Sequence, residues 1–96
     1  MTGKEQIGSA EWFCAFALDA VSDLRARFGA SYAGIIQPVM IQIGALADEL
    51  GASPVRAFQV INIPMPTDRL ILQLRAAATL ELYMAAERER RGGVTA

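Results

Sequence analysis

The fold turns on LADELGASPVRAFQVIN, residues 46–62. Leu46, Ala47 and Leu50 recur at helical spacing, and Gly51 interrupts them. A glycine just past a helix readily takes the left-handed backbone that ends it. Ser53-Pro54 is a start signal. The serine hydroxyl accepts a backbone N–H of the next turn, and proline at the first helical position has no N–H to leave unpaired. The stretch reads as helix, tight corner, helix, with the second helix at about 54–62.

Outward from this corner the chain reads as helical throughout. Ser9 is an N-cap, and Glu11 follows in the first turn, where a helix dipole favours an acid. Phe13, Ala17, Ala20, Val21, Leu24 and Phe28 share one face, while Asp19, Ser22, Asp23 and Arg27 share the other. Asp23 and Arg27 form an i,i+4 pair, and Gly29 ends this first helix. Pro38 is unsuited to a helix interior, so the second helix is expected to start there, after a short helical turn at 32–36; one kinked helix is the alternative. Its buried face is Val39, Ile43, Leu46, Ala47 and Leu50. IPMP at 63–66 stops the third helix. Thr67 caps a long last helix, with Asp68 in its first turn, which runs to about residue 91 and is closed by Gly92-Gly93. A strand reading of 58–66 and 70–75 lacks a paired alternating segment and a turn. The expectation is one all-α domain over 1–96, a compact bundle of four to five helices, with frayed ends at 1–8 and 92–96.

Composition bounds the function. Hydrophobic residues are 53% of the 96, enough to build a core. Nine basic and ten acidic residues give a net charge of −1, so no long-range field draws in nucleic acid or anionic lipid. Residues 28–47 are uncharged and long enough to span a bilayer, but Gln37, Pro38, Gln42 and three glycines favour a soluble core segment. No membrane partner is expected. Cys14 is the single cysteine, and no signal-like start is seen, so a cytoplasmic home is expected. There is no histidine, which removes the usual neutral-pH acid–base group and the commonest transition-metal ligand. There is no glycine-rich phosphate loop. Asp48-Glu49 and Asp19/Asp23 read as solvated helix faces, and Cys14 as structural. The chain is read as non-enzymatic, with no catalytic residue, metal or cofactor.

The spacing of the corner is that of a helix-turn-helix. Ala47 is the small residue at the crossing, Gly51 the turn and Ser53 the cap. GASPVRAFQVIN resembles the run G-V-S-x-x-x-V-S-x-V-(V/L)-N of the lactose-repressor-type DNA-binding domains, over about 17 residues. It departs at Ala57, where that family carries valine. The resemblance implies that 54–62 is a recognition helix presenting Pro54, Val55, Arg56 and Gln59. Arg56 would then pair with guanine and Gln59 with adenine. Against this, Arg56 is the one basic residue between Phe28 and Pro66. Arg69 and Arg75 of the last helix, or arginines of a partner subunit, would have to supply phosphate contacts.

Two other surfaces are expected to bind. Leu70, Leu74 and Met84 lie on one side of the last helix, Ile71 and Leu82 on the next, Leu72 and Tyr83 opposite, and Leu80 on the remaining side. A helix apolar all round is buried all round. The expectation is a homodimer with Leu70, Leu74, Ala77 and Met84 at its interface, Ala76 to Ala78 letting another helix approach. A monomer with this helix at its centre is the alternative. Trp12 and Phe16 lie off the core face of the first helix and read as anchors for another protein. The alternative is that Ile7 folds back and covers Trp12 as a hydrophobic staple. The function expected is a cytoplasmic regulator or interaction protein of inhibitor or adaptor type; the alternative is a helix-turn-helix transcriptional regulator.

Overall fold

The computed structural model describes residues 10–95, and their side chains over 13–91. The expected caps and contacts at Ile7 and Ser9 lie outside that range, as do the side chains of Glu11 and Trp12. The fold is all-helical, at 87% helix, with no strand among the described residues. Helix α1 is Ala10–Phe28, a 3-10 turn covers Gly29–Ser31, α2 is Tyr32–Leu50, α3 is Pro54–Ile61 and α4 is Arg69–Thr95. The chain passes from α1 through the 3-10 turn into α2 with no coil residue. It is therefore built as three continuous helical stretches, 10–50, 54–61 and 69–95, and not as four to five separate rods. Gly29, at φ 54°, redirects the first stretch. The 58–66 and 70–75 segments hold no strand.

Pro38 corrects the expected start of α2. It lies inside the helix, six residues after Tyr32. A proline here costs the helix the bond to the carbonyl four residues back, which is that of Gly34. Both Gly34 and Pro38 are exposed, so water can take that carbonyl's hydrogen bond. Leu50 is a second correction: it is 45% exposed. The corner folds α3 back onto Ile43 and Ala47, and Leu50 projects past that contact.

The core is arranged around the middle of α4. Phe13, Ala17, Ala20 and Leu24 of α1 pack there, with Tyr32 and Ile36 of α2 and Phe58 of α3. Ala76, Ala77 and Ala78 are each 0% exposed, although they are consecutive and point in three directions. Methyl side chains let α1, α2 and α3 all come close to the α4 backbone at this level. A second cluster joins Ile43, Ala47 and Ala57, with Leu46, Ile61 and Leu82 against it. Thr79, fully buried, donates its hydroxyl to the Arg75 carbonyl at 2.7 Å. Phe13 and Phe58 meet edge to face at 5.2 Å between centroids.

The ends of α4 differ from expectation. Asp68, not Thr67, caps it, its Oδ1 accepting the Leu70 N–H at 2.9 Å. The helix continues through Gly92-Gly93 to Thr95. Glycine supplies the same backbone donors and acceptors as any residue and weakens a helix by only about 1 kcal/mol. At 27 residues, and roughly 1.5 Å per residue, α4 accounts for most of the 44 Å long axis.

Candidate functional site

The corner forms as the sequence reads it. Gly51 closes α2 at φ 62°, ψ 38°. Its N–H reaches the Asp48 carbonyl at 3.1 Å, and the Ala52 N–H reaches that of Ala47 at 3.0 Å. Ser53 is extended, and its Oγ accepts the Arg56 N–H at 3.2 Å. Ala47 and Ala57 are buried together, so the two helices meet through small side chains. The valine of the repressor pattern is not needed at 57, because Ile43, Ile61 and Leu82 fill the contact.

The arginines around the corner are largely engaged. Arg56 is exposed, and its Nη1 donates to Gln59 Oε1 at 3.3 Å. Arg75 Nη1 donates to the Ile61 carbonyl at 3.3 Å and to Asn62 Oδ1 at 3.0 Å. Buried Asn62 in turn donates from Nδ2 to the Phe58 carbonyl at 2.8 Å. Arg75 therefore closes the end of α3 and is spent as a helix cap. The Arg69 guanidinium lies 5.7 Å from the Phe16 ring centroid. Asp48 and Glu49, in the last turn of the neighbouring helix α2, are both exposed.

Comparison with protein families, with curated proteins and with solved structures finds no match for this chain. The assignment of a site therefore rests on geometry.

The outer face of α2 stands out. Ala33, Gly34, Gln37, Pro38, Ile41, Gln42 and Ala45 are all exposed, and Ile41 is 62% so. No charged residue occurs between Arg27 and Asp48. Phe13–Leu50 is long and apolar enough to cross a membrane by length and composition, yet only 22% of its most apolar window is buried in the chain. The 3-10 turn divides that stretch. What it leaves outside is an uncharged surface on α2.

Beside this face an open cleft of about 530 Å³ is lined by Arg25, Tyr32, Ile36, Gln37, Met40 and Glu81, among others. Tyr32 donates its hydroxyl to Glu81 Oε2 at 2.8 Å, and Arg25 pairs with the same oxygen at 3.4 Å. The Arg25 guanidinium also lies 5.0 Å from the centre of the Tyr32 ring. Burial, and then the hydrogen bond to Glu81 and its charge, push the Tyr32 phenol up to about 12, with Arg25 opposing. The phenol is thus held neutral, and the trio ties α1 and α2 to α4. Among the described residues no three metal-ligating side chains converge.

The other expected residues are dispersed. Phe16 is half-buried and packs on the core. Leu70 and Leu74 also pack on the core of their own chain, Ala77 lies within it, and Met84 is 44% exposed. Ala77 is therefore corrected from interface to core, since α1, α2 and α3 already surround that level of α4. Asp23 accepts from Gln73 Nε2 at 3.3 Å, and Arg27 lies over Phe28 in place of the expected Asp23–Arg27 pair. The outer face of α2 is hidden in the sequence because Pro38 reads as a helix start. The signal was the length of chain without charge.

Proposed function

We propose that this protein is a small non-enzymatic regulator or adaptor that binds another macromolecule and works as a homodimer in the cytoplasm. The observation that carries this reading is the uncharged outer face of α2. Water-facing helix surfaces are usually charged, and charge is depleted where protein surfaces meet. Ala33, Gly34 and Ala45 allow a close approach, and Ile41 supplies an apolar anchor. With Arg56 alone among basic residues from 29 to 66, this half of the chain offers little to a phosphate backbone or an anionic membrane. Sedimentation equilibrium at tens of micromolar tests it. The wild-type chain is expected to dimerise, and Ile41→Glu to return it to monomer without altering its helical circular dichroism. A wild-type monomer removes the dimer from the proposal.

A second reading is that of a DNA-binding regulator, favoured by one observation: the corner has the left-handed glycine, serine cap and small-residue crossing of a helix-turn-helix. Arg56 and Gln59 would carry base contacts. Steeply salt-dependent binding to random duplex DNA would favour this reading over the first.

A further inference from the structure

The cleft beside Tyr32 has the size of a small-molecule site, and we propose that it binds a free α-amino acid with an apolar side chain. Its volume of about 530 Å³ lies within the roughly 300–1,000 Å³ usual for such sites. Arg25 and Glu81 are the charged groups among its described lining residues, one of each sign. Both have bonding capacity left over. Glu81 Oε2 accepts the Tyr32 hydroxyl at 2.8 Å and Arg25 Nη2 at 3.4 Å, and no described residue bonds its Oε1. Charge-assisted N–H···O bonds usually run to roughly 2.7–2.9 Å, so the contact at 3.4 Å leaves the guanidinium only loosely committed. The Arg25 side chain is 63% exposed, and most of its donors face solvent.

This pair of charges selects among ligands. A simple anion at Arg25 would also meet the Glu81 carboxylate, and a simple cation at Glu81 would meet the guanidinium. A zwitterion meets both favourably. An α-amino acid carries its ammonium and carboxylate on one carbon, so the ammonium donates to Glu81 Oε1 while the carboxylate accepts from Arg25. Tyr32 keeps its proton, its phenol being pushed up to about 12, and so stays a donor that holds Glu81 in place. Ile36 and Met40 line the same cleft and give the ligand's side chain an apolar wall. Since Arg25 stands on α1 and Glu81 on α4, the ligand bridges two helices and stabilises the folded chain by mass action.

Titration of the wild-type protein with L-leucine, followed by backbone amide NMR shifts and by calorimetry, tests this. Saturable shifts are expected at Ile36, Met40 and Glu81, with a rise in melting temperature. Absence of saturation up to about 10 mM overturns the proposal. L-leucinamide, which lacks the carboxylate, and isocaproate, which lacks the ammonium, should each bind at least about tenfold more weakly, because each leaves one protein charge facing its like or unpaired. Glycine, with no side chain to lay against Ile36 and Met40, should also bind at least about tenfold more weakly. Equal affinity for any of the three overturns the assignment of an apolar amino acid. Arg25→Gln should keep its circular dichroism, since an exposed ion pair adds little stability, and should lose leucine binding by about tenfold or more. A folded Arg25→Gln that binds leucine as the wild type does overturns the proposal, and the ligand series on the wild-type chain decides it should that variant fail to fold.

Discussion

Gly51 is required for its backbone alone. A Cβ built there meets nothing within 4 Å, so no neighbour excludes a side chain. The cost of replacement is the left-handed conformation, about 1–2 kcal/mol for an ordinary residue. Gly51→Ala is expected to lower the urea midpoint by that equivalent, and Gly51→Val by more, because branching at Cβ crowds this region further. A valine variant with an unchanged midpoint would mean that the corner is not held as described. Tyr32 makes a different test. Its phenol titrates near 10 when unfolded and at about 12 when folded. The folded state holds that proton more tightly. The resulting stabilisation is complete below pH 10 and is lost as pH rises from 10 through 12. Tyr32→Phe should remove this part of the alkaline destabilisation, read from melting temperatures at pH 9 and pH 11. The corner glycine was legible from its neighbours in sequence. The Tyr32–Glu81 bond was not, because its partners are 49 residues apart.

At the scale of elements, α4 shows how composition sets packing. Ala76, Ala77 and Ala78 give it a thin waist, and three helices of the same chain close around it. The sequence showed that this helix must be surrounded, and the structure supplies much of the surround from within. Ala77→Leu should therefore destabilise the monomer fold by about 1–3 kcal/mol through overpacking, measured by thermal or urea unfolding. Were Ala77 at an interface between copies, the same change would alter association and leave monomer stability untouched. Helix α2 shows the opposite case. Its proline predicts a helix start, but an exposed position lets water meet the orphaned carbonyl, and the helix runs on.

At the scale of the molecule, neutral and charged surfaces are kept apart. The 28–47 segment is uncharged, while the last turns of α4 carry Glu87, Arg88, Glu89, Arg90 and Arg91. The competing DNA reading stands on Arg56 and Gln59. Replacing both by alanine is expected to leave the fold intact, since exposed polar side chains contribute little to stability. It is also expected to leave partner binding intact if α2 is the contact surface. Loss of sequence-specific duplex binding in the double variant, by fluorescence anisotropy, would instead assign α3 to base recognition, each good contact being worth about 1–3 kcal/mol.

The sequence by itself determined the events that close within one helical turn. Gly51, Ser53 and Pro54 set the corner, and the spacing of Phe13, Ala17, Ala20 and Leu24 set the buried side of α1. Those outcomes depend on bonds and contacts between residues at most five apart. The tertiary structure alone decided what depends on distant partners and on access to water. It kept Pro38 inside a helix, spent Arg75 on the end of α3, turned Asp23 toward Gln73 and enclosed Ala77 within its own chain. In each case a neighbour many residues away, or solvent at an exposed carbonyl, set the outcome.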